Sequence, residues 1–521
     1  MVSFTKAVGG VVLAASFAFG APALAQTPPN VLIVGQIAEP KSLDPSVDTA
    51  VNDFRILMNM YDGLVRYRDG TLEPEPALAE SWEISDDGLT YTFHLREGVT
   101  FHDGTPFDAE AVKFTFDRML DESHPFHGTG PFPLAFFFSA IESTTAVDAS
   151  TVEFKLSEPY APFLSNLAYP AGLIVSPAAV AEHGEDFGRN PSGTGPFKFE
   201  SWDSNTSVVI TRNEDYWDGA PPLEAVVFRP ITDANTRVAE MLSGGIDLMV
   251  EVPPDNLNQF RDGAAFEVYE QAGPHLWFLI LNAKEGPFAD KRVRQAVNYA
   301  IDKQALVENV LQGTAEIAAG PTPPAFAWAY NEELEPYPHD PERAKALLAD
   351  AGAEGAELTF YVTEGGSGML DPVAMGTAIQ ADLAAVGLDV AIETYEWNTF
   401  LGEVNPGLEG KADMAQMAWM TNDPDTLPYL ALRTDAFPDK GGFNSGYYSN
   451  PDVDALLEQA RTSTDQDERA ALYKEMQAIV QDDAPWAFIA NWKQNAVSTS
   501  SVEGFSLQPS FFLILRDVSK G

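Results

Sequence analysis

"FEVYEQAGPHLWFLILN", residues 266 to 282, contains two strand-like runs split by Gly273-Pro274. Composition shifts across this break, from a run that carries charge to one that is almost wholly apolar. Gly-Pro stops one extended segment before the next begins, so the stretch is expected to be a crossing between two domains. A chain of 521 residues is long enough for two or more. Outward from the break, strand and helix signals alternate, which predicts a mixed α/β fold.

On both sides the local signals are specific. "TYTFHL" (90–95) and "TVEFKL" (151–156) alternate as half-buried strands do, with Val152, Phe154 and Leu156 on one face. Helices are better marked after the break. In "HDPERAKALLADAG", Asp340 is the expected N-cap and Pro341 the first helical residue. Gly352 takes the C-terminal glycine position, and Ala344, Leu347, Leu348 and Ala351 form the apolar stripe. Asn450 and Pro451 repeat that start before Val453, Leu456, Leu457 and Ala460. A third helix is predicted through Val293, Ala296, Val297, Ala300 and Ile301, and Pro485 is expected to end the helix bearing Leu472, Met476 and Ile479. The final "FFLILRDV" (511–518) reads as a buried strand.

The chain opens with Lys6, an apolar run from Val8 to Phe19 and Ala23-Leu24-Ala25. That is the order of a secretory signal, with cleavage expected after Ala25. The run is too short to span a bilayer. There is no cysteine, which excludes disulfides, thiolate metal sites, cysteine catalysis and a lipid-anchored N-terminus. A periplasmic location is expected. The formal charge of −46 argues against nucleic acid and anionic lipid as partners. With 45% hydrophobic residues the chain is not disordered.

Catalytic signatures are missing. There is no Gly-x-Ser-x-Gly, no His-Glu-x-x-His, no Walker-type loop and no dinucleotide fingerprint, so no enzyme and no cofactor are expected. His124 and His127 are the only close histidine pair and read as loop or packing residues rather than metal ligands. What stands out is aromatic supply near chain breaks: Trp277, Trp397, Trp419, Tyr447 and Tyr448. Such residues suit either a ligand cleft between lobes or a core. In "MAWMTNDPDTLPYL" (417–430), Asp423 before Pro424 is expected to cap a helix, with Asp425 in its first turn.

Several stretches, taken together, resemble the peptide-type (family 5) extracytoplasmic solute-binding proteins of ABC importers, which include dipeptide-, oligopeptide- and nickel-binding proteins. They include "SLDPSVDT" (42–49), "YDGLVRY" (61–67), "PSGTGPFKF" (191–199), "VRQAVNYAIDKQALV" (293–307), "YEWNTFL" (395–401) and "YSNPDVDALLEQAR" (448–461), in family order along nearly the whole chain. The resemblance implies two α/β lobes joined by a hinge. Lobe I would hold residues 27–272 with an extra subdomain near 66–180, and lobe II residues 273–495. Residues 496–521 would return to lobe I. It implies a monomeric receptor that hands a peptide or peptide-like solute to importer membrane subunits. A neutral oligosaccharide is the alternative ligand, and a secreted hydrolase the alternative class.

The resemblance also implies site residues. "AWMT" would line the cleft through Trp419, Met420 and Thr421. Trp397 would touch ligand side chains, His275 and Trp277 would flank the ligand on the hinge strand, and Asn52 would reach it from lobe I. Peptide binders place an Asp a few residues after the Trp to hold the ligand's α-amino group. Here the segment is shortened, so that place is lost or falls on Asn422, with Asp423 next to it. The cations that hold a peptide carboxylate are missing too: "TEGGSGML" (363–370) has none, and Val404 and Gln416 stand where Arg can occur.

Overall fold

The computed structural model describes residues 28–261, 264–366 and 368–521. The expected signal segment and its cleavage site lie outside them. Among the described residues, no helix is long and apolar enough to cross a membrane.

Two lobes are built on sheets that share one strand, Trp486–Thr499. In the first lobe, Val31–Gln36 pairs in parallel with Ala225–Pro230 and with Leu248–Val250, and Ser207–Arg212 and Phe197–Asp203 extend the sheet antiparallel. In the second, His275–Leu281 pairs antiparallel with Met414–Met420. Beside it, Glu357–Thr363 runs parallel to both Asp389–Tyr395 and Met414–Met420. The shared strand joins them. Its Trp486–Ala490 end pairs with Trp277–Ile280, and its Lys493–Thr499 end pairs with Phe266–Ala272.

The two crossing strands pass each other at Gly273-Pro274. The Gly273 N–H donates to the Trp492 carbonyl at 3.0 Å. A Cβ on Gly273 would meet the Phe511 ring at 2.2 Å, so only glycine lets that ring close on the crossing. Along His275–Leu281, the two-residue period of a strand sends Leu276, Phe278 and Ile280 into one core and Trp277, Leu279 and Leu281 into another. Burial on both faces explains why this run is almost continuously apolar.

An additional four-stranded antiparallel sheet, ordered 79–84, 90–95, 151–156, 141–148, carries its own aromatic core. Phe93 packs edge-on to Phe154 at 5.8 Å, and Phe116 of the helix Ala109–Leu120 meets Phe154 at 5.0 Å. The predicted helices form where their caps place them. Asp340 accepts the Arg343 N–H, Gly352 is left-handed at φ +70°, Asn450 accepts the Asp452 N–H, and the helix Gln466–Asp483 stops before Pro485.

One expected strand does not form. Residues 511–518 are mostly buried but unpaired, and only Ser519–Lys520 makes a short ladder, with Val502–Glu503. Side chains from the helix Val51–Leu57 and the turn after it replace the missing ladder. Arg55 donates to the Phe511 carbonyl at 3.2 Å. Asn59 donates to the Leu513 carbonyl and accepts from the Leu515 N–H, both at 2.9 Å. The Phe511 and Leu513 carbonyls and the Leu515 N–H are thus taken up without a neighbouring strand, which hydrophobic pattern alone does not reveal.

Candidate ligand-binding site

Strand register decides which of the aromatics near the crossing can meet a ligand. Leu276 lies opposite Trp419, and His275 opposite Met420. Trp419 therefore projects with Leu276 toward the other lobe, and Trp277 projects with Ala418 into the second lobe's own core. Trp419, Met420, Thr421 and Asn422 form one wall of a cavity between the lobes, with Pro274 at its hinge end. About 590 Å³ of empty space lies inside, part of it open to solvent. The facing wall comes from Tyr67, Phe137, Tyr169 and the returning Phe511-Phe512. Phe511 is held at φ +65°, a strained conformation for a bulky residue, where its ring covers Gly273.

Four of the nine site residues expected from sequence thus come together. The other five sit elsewhere, for identifiable reasons. Trp277 is fully buried in the second lobe's core. His275 is buried as a strut: its Nδ1 accepts from the Trp492 N–H at 3.2 Å, so Nε2–H donates to the Gly368 carbonyl at 2.8 Å. Burial pushes its pKa down to about 4, which keeps the ring neutral. Trp397 stacks on Phe400 at 5.9 Å and lies against Gly366, away from this cavity. The Asn52 side chain is engaged by the Glu39 carbonyl and the Asp53 carboxylate, and it is the neighbouring Val51 that reaches the cavity.

Asp423 neither caps the helix nor lines this cavity. The helix begins later, at Thr426, with Asp425 at the capping position and no side-chain cap bond. Asp423 is 1% exposed and pairs with Arg469 at 2.9 Å, while its other oxygen accepts from the Ser165 hydroxyl at 2.9 Å. Asp425 pairs with Arg461 at 2.6 Å rather than resting in a helical first turn. Burial still pushes Asp425 up to about 6, against the pull of Arg461. Asn422 donates to Asn166 at 2.6 Å, and the Ala161 N–H donates to the Arg461 carbonyl at 2.8 Å. Residues 161–166 and 422–469 are thereby clasped together beside the cavity.

Among the described residues that line this cavity there is no cation. Val404 is buried, and Gln416 spends its amide on the Pro372 carbonyl and the Thr363 N–H. Among the described residues, no group of acidic residues, histidine or cysteine could hold a metal ion, and His127 is taken up by the Arg118 carbonyl. Sequence reading missed the aromatic wall opposite Trp419. Its signal was present in the run of rings in "AFFF" (135–138) and the pair Phe511-Phe512, but nothing in the sequence connects these distant segments to each other or to Trp419.

Comparison with known proteins shows the family. The model of the bacterial extracellular solute-binding proteins, family 5 Middle, matches residues 73–440. Heme-binding protein A of Haemophilus influenzae is 36% identical over 470 residues, covering 86% of this chain and 85% of the relative. Di/tripeptide-binding protein 2 of Pseudomonas aeruginosa is 32% identical over 521 residues, covering 96% and 97%. Among solved structures, HbpA2 from Haemophilus parasuis superposes with a TM-score of 0.87 at 31% identity, over 94% of this chain and 100% of that one. The periplasmic binding protein DppA from Helicobacter pylori, in complex with the peptide STSA, gives 0.76 at 33% identity, over 94% and 98%. A cavity walled by both lobes beside a two-strand crossing, and relatives that cover nearly the whole chain, lead to one conclusion: this protein belongs to the family 5 bacterial extracellular solute-binding proteins, the two-lobed receptors of ABC importers.

Proposed function

We propose that this protein captures a peptide or peptide-like solute between its lobes in the periplasm and delivers it unaltered to the membrane subunits of an ABC importer. The observation that carries this reading is the interlobe cavity walled by Trp419, Met420, Thr421 and Asn422. Relatives described as binding dipeptides, tripeptides and glutathione support the ligand class. The protein acts as a soluble monomer, released from its signal after Ala25 and carrying no lipid anchor. It is a carrier without catalytic activity. Lobe I runs over residues 27–272, with an extra subdomain at 66–180, and lobe II over 273–495. The last segment, 496–521, belongs to lobe I.

Recognition does not rest on a peptide's two charged ends. A buried carboxylate or ammonium costs several kcal/mol unless it is paired. Arg469 and Arg461 already occupy Asp423 and Asp425, and the place of a carboxylate-binding cation is filled by Gln416 and Val404. Main-chain hydrogen bonds and apolar contacts hold the solute, with its ends in water.

Closure turns about residues 270–275 and 490–498. Small-angle scattering checks this, with a smaller radius of gyration at ligand saturation than without ligand. A solute at about a hundred times its dissociation constant also stabilises the fold by about 2.7 kcal/mol. An unchanged radius at saturation refutes the closure mechanism.

A further inference from the structure

The first lobe presents a continuous aromatic wall to the cavity. Tyr169 meets Phe512 at 5.6 Å and Phe137 at 5.6 Å, and both Tyr169 and Phe512 rest on Phe54 beneath, at 5.5 and 5.9 Å. These are mostly edge-to-face contacts, so the rings brace one another and keep their positions without a ligand. Trp419 stands on the other lobe, half-buried and braced edge-on by Phe443 at 5.4 Å. At the rim, Phe136 is 54% exposed and leans on Phe137 at 4.4 Å.

What is missing from the lining is equally informative. Among the described residues, no Asp, Glu, Lys, Arg or His lines this cavity. Polar groups are few. The Thr426 hydroxyl donates to Asn422, and Asn422 donates to Asn166. The hydroxyls of Thr421 and Ser510 make no hydrogen bond to another described residue and remain open to a ligand. Apolar rings with a small number of polar handles select for shape and for absence of charge.

Building on the receptor reading above, we propose that this cavity receives a flat, uncharged, ring-bearing group of the solute, such as an aromatic side chain or a neutral heterocycle. The ring lies between Trp419 and the Tyr169–Phe512 wall, and its polar edge faces Thr421 and Ser510. A charged terminus is tolerated only where the solute is long enough to leave it in water; in a free dipeptide both termini lie too close to the ring to stay outside, so they are carried into the cavity unpaired. An aliphatic group of equal size gains the apolar area but not the ring-on-ring contact. A charged group entering the cavity finds no partner and keeps its full desolvation cost.

Titration calorimetry on the mature protein tests this with three probes: N-acetyl-Phe-Phe-amide, N-acetyl-Ala-Ala-amide and free zwitterionic Phe-Phe. The capped aromatic probe binds more tightly than either of the others, by about tenfold or more. Trp419→Ala weakens it by about tenfold, and Trp419→Phe, which keeps a ring and protects against loss of folding, restores most of the affinity. Equal binding of the capped alanine probe overturns the ring. Equal binding of free Phe-Phe overturns the exclusion of charge. Silence from all three probes up to millimolar concentration overturns the assigned class. Tight binding of the capped alanine probe, with closure of the lobes, removes the class but leaves the receptor. Recovery of a cleaved probe removes the receptor and leaves the aromatic site.

Discussion

Two cavities flank the contact between Asn166 and Asn422, and they have opposite chemistry. On one side the lining is rings and hydroxyls without a charge. On the other, about 870 Å³ of empty space is bordered by Arg68, Glu73, Asp423 and Arg469. There the charges are spent on each other, with Arg68 on Glu73 at 2.7 Å and Arg469 on Asp423 at 2.9 Å. Leu72 and Asn422 border both spaces, so the difference arises within a few ångströms of shared wall. Richness in charge is therefore a poor guide to where this protein binds. The charged side is internally satisfied and holds protein to protein. The side with unspent faces and hydroxyls is the one proposed to take the solute.

Breaking the charged side has the largest effect. Arg469→Met leaves Asp423 buried without its cation and costs about 3–5 kcal/mol of stability, read from urea unfolding without ligand. Replacing Asp423 and Arg469 together with apolar residues of similar volume costs less than the single change, because no uncompensated charge remains. If the single and double variants are equally stable, the pair is not a clasp.

The apolar side responds in affinity rather than in folding. Trp419→Ala weakens the true ligand by about 1–3 kcal/mol in calorimetry, the range for losing a buried aromatic contact. Asp423→Asn leaves that affinity nearly unchanged. Tight binding of free dipeptides that Asp423→Asn abolishes would reverse the assignment of the two sides.

A separate test of burial concerns two carboxylates that have no arginine, in contrast to Asp423 and Asp425. Burial and the neighbouring Asp53 and Asp44 push Asp48 up to about 9, against the pull of Lys41. Burial also pushes Asp53 up to about 6. A carboxyl whose pKa is higher folded than unfolded favours the fold while it holds its proton. For Asp48 that contribution is complete below the ordinary 3.8 and is lost as pH rises through about 9. The melting temperature of the ligand-free protein therefore falls across this window, and Asp48→Asn flattens the decline. A profile identical in the variant contradicts the shift.

Legibility in the sequence followed the range of the interactions. Asp340, Pro341 and Gly352 fix a helix through contacts a few residues long, and that helix forms where its caps say. The crossing at Gly273-Pro274 was legible because a break in composition marks it. Trp419 to Asn422 were legible through resemblance, and register then separated Trp419 from Trp277 by a single residue of strand alternation. Asp423 reads as a cap in sequence because it does accept a local N–H, that of Asp425, but its other partners, Arg469 and Ser165, lie 46 and 258 residues away and no sequence pattern shows them. The buried run 511–518 looked like a strand because apolarity records burial and not hydrogen-bond partners. The Tyr169–Phe512 wall comes from distant segments that no local pattern connects.

Mass spectrometry of the solute released on denaturing the protein purified from its own periplasm tests the account most directly. The account predicts an intact peptide-like compound that bears an uncharged ring. A cleaved product, or a small zwitterion without a ring such as free Ala-Ala, would contradict it.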